Sequence, residues 1–118
     1  MLEVVALPGH TPDAIALLDS VAGYLWTGDS FYEGPIWLVG LETDLESYAA
    51  SVERMAALAP QLARVYPAHN TPVANPLRLV ELRDAFSAVQ DGTLAGTRGE
   101  GGTIRYEAGA FSLLLRAR

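Results

Sequence analysis

Cysteine is absent from the 118 residues, which removes disulfides, thiolate metal sites and thiol catalysis together. Any metal would have to be held by histidine nitrogen and carboxylate oxygen. Basic residues are few, 8 against 14 acidic ones for a formal charge of −6, and they are scattered. Neither nucleic acid nor an anionic membrane is therefore an expected partner. No apolar run approaches the roughly 20 residues that span a bilayer, and Met1 to Val5 has neither a basic start nor a long apolar core. A cytoplasmic protein is expected. Half of the residues are apolar, enough to build a core and to argue against disorder, and the length fits one small domain over residues 1–118.

Three short apolar runs open the chain. Leu2 to Leu7 reads as a strand that stops at Pro8-Gly9. Ala14 to Leu18 and Tyr24 to Thr27, joined by Asp19-Ser20-Val21-Ala22-Gly23, read as a hairpin. From Thr43 the period changes: Leu45, Tyr48, Ala49, Val52, Met55, Ala56 and Ala59 recur at helical spacing. Thr43 and Glu46 have the spacing of a capping box, and Pro60 marks the far end. A short strand is expected at Arg64 to Tyr66. A second helix should follow, with Asn75 as cap, Pro76 at its first position, a stripe of Leu79, Leu82, Phe86 and Val89, and Gly92 as its stop. Gly92 to Gly102 holds five glycines and no apolar period, so a mobile connection is expected. The glycines follow a helix and precede a strand, the wrong order for a phosphate-binding loop. Thr103 to Leu115 reads as two strands about Gly109, the second of them buried.

The chemistry-bearing residues are sparse. The two histidines both sit in Pro-x-His loops directly after predicted strands, Pro8-Gly9-His10-Thr11-Pro12 and Pro67-Ala68-His69-Asn70-Thr71-Pro72. Strand-end loops are where a sheet commonly presents functional side chains. Taken singly, each histidine is more readily a surface or loop-anchoring residue, and Asp29 in Trp26-Thr27-Gly28-Asp29-Ser30 is ordinary turn chemistry. As a set, two imidazoles and a carboxylate at three strand ends suit zinc, manganese or iron. Trp26, Phe31, Tyr32, Ile36, Trp37 and Leu38 form the most aromatic stretch, open to readings as core, interface or substrate contact. No basic cluster is present to hold a phosphate, although Arg54, Arg64, Arg78 and Arg83 lie on or beside the helices.

The order Pro-Gly-His-Thr-Pro, Thr-Gly-Asp-Ser, Pro-Ala-His-Asn resembles the downstream metal motifs of the metallo-β-lactamase superfamily, the group that includes glyoxalase II-like metallo-hydrolases. The hairpin, the helix after Asp44 and the segment Tyr106 to Ser112 resemble their counterparts there. The resemblance implies an α/β (α+β) fold, the C-terminal half of an αββα four-layer sandwich, with a mixed β-sheet and helices packed on one face. It implies that His10 belongs to a first metal, His69 to a second, and that Asp29 bridges the two as the catalytic carboxylate. Thr11 and Ser30 would orient these ligands. The cofactor implied is a divalent metal, zinc first and manganese or iron as alternatives, activating water against an ester, thioester or amide-like bond in a small-molecule substrate.

The superfamily's His-x-His-x-Asp-His segment occurs nowhere in these 118 residues. His10 and His69 would then serve different ions, each short of the three or four protein ligands that zinc sites take. Weak metal binding and little activity are expected of this chain by itself. One sheet face should also lack a cover, so a homodimer or a missing N-terminal half is an expected partner. A self-associating, non-catalytic half-domain and a mononuclear site between subunits remain alternatives.

Overall fold

The computed structural model describes residues 2–117. Its strands are β1 (Leu2–Ala6), β2 (Ile15–Asp19), β3 (Tyr24–Gly28), β4 (Pro35–Leu38), β5 (Arg64–Pro67), β6 (Thr97–Arg98), β7 (Thr103–Glu107) and β8 (Ser112–Arg116), with helices α1 (Leu45–Leu58) and α2 (Leu77–Asp91). They form two mixed four-stranded sheets, one ordered β1-β2-β3-β5 and the other β4-β8-β7-β6. The first joins β1, β2 and β3 antiparallel and adds β5 parallel to β3. In the second, β4 runs parallel to β8, and β8, β7 and β6 are antiparallel neighbours.

The helical period places Tyr48, Val52 and Met55 of α1 in the interior, and Leu79, Leu82 and Phe86 of α2 beside them. Tyr48 and Phe86 meet edge to face at 5.1 Å. One core cluster takes residues from both helices and both sheets, among them Leu25, Val65, Ile36 and Leu113. Asn75 Oδ1 accepts from the Leu77 amide at 2.9 Å, satisfying one of the free donors of the first turn of α2. Gly92, at φ 77°, closes that helix in the left-handed conformation.

Three expectations need correction. The cap of α1 is Asp44, whose side chain accepts from the Glu46 and Ser47 amides, while Thr43 Oγ1 donates to the His10 carbonyl at 3.0 Å. Thr43 is thus committed to a tertiary contact, and its neighbour takes the cap. Pro35 to Leu38, read only as an aromatic stretch, is a strand whose register is set by β8, far along the chain. Gly92 to Gly102 is not a bare connection, since Thr97 and Arg98 pair with Arg105 and Ile104 at the edge of the second sheet.

The two faces of the first sheet differ. Ala16, Leu18, Leu25 and Val65 are buried in the core. On the other face Val4, Leu17, Trp26 and Tyr66 stand in one row across the four strands. Val4 is 68% and Trp26 37% exposed; Trp26 stacks on Tyr66, with centroids 5.2 Å apart. Leu2 and Ile15 extend this apolar surface. Among the described residues no helix is long and apolar enough to cross a membrane.

Candidate metal-binding site

Strand direction decides which of the three candidate ligands meet. β1 and β3 are both antiparallel to β2, and β5 is parallel to β3. The C-terminal ends of β1, β3 and β5 therefore lie along one edge of the sheet, and His10, Asp29 and His69 follow those ends. Neighbouring strands are about 4.8 Å apart, so the β3 and β5 loops touch, whereas β1 lies two spacings, roughly 10 Å, from β3. Accordingly His69 Nε2 lies 2.6 Å from Asp29 Oδ1, and His10 stands apart. Among the described residues no group of three or more histidine, aspartate or glutamate side chains converges on one point.

The His10 loop is docked on the start of α1. The Asp44 amide donates to the Gly9 carbonyl at 2.8 Å, Ser51 Oγ donates to the Pro8 carbonyl at 2.7 Å, and Thr43 holds the His10 carbonyl. Gly9, at φ 144°, lies so close to α1 that a Cβ there would collide with the Tyr48 backbone. The ring itself is oriented by Trp37, whose carbonyl lies 2.6 Å from His10 Nδ1. A carbonyl only accepts, so Nδ1 carries the proton. In the neutral imidazole this leaves Nε2 with its lone pair free, as a metal-ligating histidine requires.

The His69 loop is fastened on both sides. Val65 and Ala74 exchange backbone hydrogen bonds of 3.1 and 2.8 Å, closing the loop at its base, and the Ala68 amide reaches the Gly28 carbonyl at 3.3 Å. Downstream, Asn70 adopts φ 69°, a left-handed conformation that asparagine tolerates better than most residues. Its Nδ2 donates to the Glu33 carbonyl at 2.8 Å. Tyr32 presents its ring edge-on to His69, with centroids 5.1 Å apart. Burial raises the Tyr32 phenol above its ordinary pKa, and the nearby Asp29 carboxylate adds to the rise against an opposing backbone hydrogen bond.

Asp29 sits on a short turn. The Ser30 amide donates to the Thr27 carbonyl at 3.1 Å, Thr27 Oγ1 to the Phe31 carbonyl at 2.9 Å, and Tyr48 Oη to the Ser30 carbonyl at 2.7 Å. Asp29 and His69 are both about half exposed. Their contact is an ion pair when the imidazole is protonated and a hydrogen bond when it is neutral. An imidazole nitrogen and a carboxylate oxygen are metal-ligand atoms by type, and a cation taken up by both would replace the shared proton and spread them to roughly 3.3 Å. Two donors fall short of the three that a catalytic zinc takes from its protein.

The orienting hydrogen bonds expected of Thr11 and Ser30 are not made among the described residues. Thr11 works through its carbonyl, which accepts from the Gly9 and Ala14 amides. Ser30 Oγ is buried without a partner. The polar contacts beside the ligands are instead the Trp37 carbonyl on His10 and, at the His69 loop, Glu33 on Asn70 and Thr71. Glu33 is the only charged residue between Asp29 and Glu42, which is the sequence signal that marks it. The aromatic stretch divides: Phe31, Tyr32, Ile36 and Leu38 are core, while Trp37 is 54% exposed. Trp37 borders both the hollow beside His10 and Thr11 and the one beside His69 and Tyr32.

No protein-family model matches the sequence, and no curated protein is similar to it. Solved structures are. TTHA1623, determined in a di-iron-bound form, is 30% identical over 64% of this chain and 37% of its own, with a TM-score of 0.55. The metallo-β-lactamase family protein TTHA1429 from Thermus thermophilus is 28% identical over 79% of this chain and 32% of its own, with a TM-score of 0.61. ETHE1 from Myxococcus xanthus, at 22% identity, 74% and 40% coverage and a TM-score of 0.58, adds likeness of fold alone. The chain spans about a third of the length of the first two structures.

Proposed function

The chain carries part of a metallo-β-lactamase fold, and from that premise we propose that it supplies three ligands, His10, Asp29 and His69, to the metal centre of a hydrolase. Asp29 and His69 serve one ion together, and His10 serves a separate position. When bound, a divalent ion, zinc first and manganese or iron as alternatives, would bring a water's pKa toward neutrality and polarise the bond to be cleaved. The chain's own residues present His10 Nε2 through the Trp37 carbonyl, hold Asp29 on its turn, and keep His69 against it. The bond class we propose is an ester, thioester or amide-like bond of a small molecule.

The observation that carries this reading is the Asp29–His69 contact of 2.6 Å at adjacent parallel strand ends, with His10 at a third strand end along the same edge. The di-iron form of one structural neighbour supports the metal class. The remaining ligands must come from outside these 118 residues, which hold only the two histidines. The test is metal content of protein produced with supplements of zinc, manganese or iron. Retention that is below one ion per chain and abolished by Asp29→Ala with His69→Ala supports the reading. Retention unaffected by both substitutions overturns it.

A second reading is favoured by the exposed apolar row through Val4, Trp26 and Tyr66. We propose that this face is covered by a second copy of the chain, with the remainder of a longer polypeptide as the competing cover. Light scattering at micromolar concentration should return a dimer mass that Trp26→Lys converts to monomer. A well-folded monomer at that concentration rejects self-association.

A further inference from the structure

Glu33, outside every motif noted in the sequence, lies between the segment that carries Asp29 and the loop that carries His69. Glu33 makes three polar contacts with the far side of the His69 loop and the start of α2. Its carbonyl accepts from Asn70 Nδ2 at 2.8 Å. Its carboxylate accepts from Thr71 Oγ1 at 2.9 Å and from Arg78 Nε at 3.0 Å. Arg78 is held in turn by Glu81 one helical turn on, at 2.7 Å. The fit is close, because a Cβ on Gly34 would collide with Asn70 Nδ2.

We propose that Glu33 is a positioning residue that sets the Asp29–His69 geometry, latching the segment that carries Asp29 to the loop that carries His69. Thr71 and Arg78, 38 and 45 positions further along the chain, meet residue 33 at its carboxylate, and Asn70 meets it at the carbonyl. Glu33 is only 21% and Arg78 35% exposed at the side chain, so solvent screens the pair less than an open surface bridge. Arginine's planar fork fixes direction as well as charge. Asp29 has its own supports in Thr27 and Tyr48. Downstream, the His69 loop is held by the Val65–Ala74 backbone bridge, by the Thr71 amide on the His69 carbonyl at 2.9 Å, and by the contacts through Glu33. Removing the Glu33 carboxylate therefore loosens the segment that carries His69 between those backbone bonds and leaves Asp29 where it is. The relevance of this geometry to metal binding rests on the function proposed above; the latch itself does not.

The test is nuclear magnetic resonance of the metal-free protein, in which only two imidazoles contribute signals. The cross-relaxation peak between the His69 and Tyr32 rings reports the loop position, and His10 serves as an internal control. Glu33→Ala, which removes the two carboxylate contacts and leaves the carbonyl to Asn70, should weaken that peak and shift the His69 ring resonances, with His10 and the thermal midpoint nearly unchanged. Glu33→Gln, which also keeps an acceptor oxygen for Thr71 or Arg78, should retain more of the peak. Arg83→Ala, on the same helix and paired with Asp84, should leave it at full intensity. An unchanged peak in Glu33→Ala combined with Thr71→Val overturns the proposal. Addition of zinc ion separates the two readings. If Glu33→Ala moves His69 while zinc leaves the parent protein's imidazoles undisturbed, the latch stands and the metal reading falls.

Discussion

The two Pro-x-His loops look alike in sequence and are held in different ways. The His10 loop rests on the backbone at the start of α1, and its ring is aimed by a carbonyl from β4. The His69 loop is closed by its own backbone bridge and aimed by side chains, Glu33 and Asn70. The first is packed against a helix that leaves no room for a Cβ at Gly9. The second depends on a few polar contacts, and its ligand is the one that meets Asp29. Tyr48 belongs to both arrangements, with its backbone against Gly9 and its phenol on the Ser30 carbonyl.

The largest effect should come from breaking the helix-backed loop. Gly9→Ala drives a methyl into the Tyr48 backbone at a φ that side chains rarely adopt. We expect a loss of about 3 kcal/mol in denaturant unfolding, from strain and overpacking together. A midpoint unchanged from the parent would refute the close approach. Tyr48→Phe comes next, at about 1–3 kcal/mol, because it strips the buried donor from the Ser30 carbonyl. The same substitution should loosen the Asp29 turn, visible as faster amide exchange at Ser30 and Phe31. Asn70→Ala acts on the other loop and should cost about 1–2 kcal/mol, combining left-handed strain with one lost hydrogen bond. Asn70→Gly should recover the strain component while His69 remains displaced. Equal displacement of His10 and His69 by either change would erase the contrast between the loops.

The smallest effect is a pH dependence. Hydrogen bonds from Ser47 hold the Asp44 carboxyl below its ordinary 3.8. The stabilisation is present in full above that unfolded value and disappears as pH falls through the lowered folded one. Asp44→Asn should keep much of the cap while flattening stability against pH in that acid window. The His10 loop, which receives the Asp44 amide, should loosen over the same window.

What could be read in the sequence follows from how local each cause is. The periodic stripe of α1 and the Gly92 stop of α2 are set by residues within a turn of one another, and the structure has them; α2 begins at Leu77, one residue past the expected Pro76, with Asn75 Oδ1 on its first amide. The cap of α1 shifts by one residue because Thr43 is drawn away by the His10 carbonyl, a contact 33 positions distant. β4 and β6 are strands only by virtue of partners elsewhere in the chain, so neither a proline-led tetrapeptide nor a glycine-rich segment announces them. His10, Asp29 and His69 were legible as motifs at strand ends. That two of the three meet depends on the parallel pairing of β3 with β5, and Glu33 is visible only once residues 33, 71 and 78 are side by side.

If Asp29 and His69 form one donor pair while His10 serves a separate position, the two imidazoles must answer a metal ion differently. A titration with zinc ion, recording the imidazole nitrogens of the parent and Asp29→Asn proteins, reads that difference. The His69 Nε2 signal should move in the parent and be largely insensitive in Asp29→Asn, while the response of His10 is the same in both. Coincident shifts of His10 and His69 with one saturation point, both lost in Asp29→Asn, would contradict the pairing.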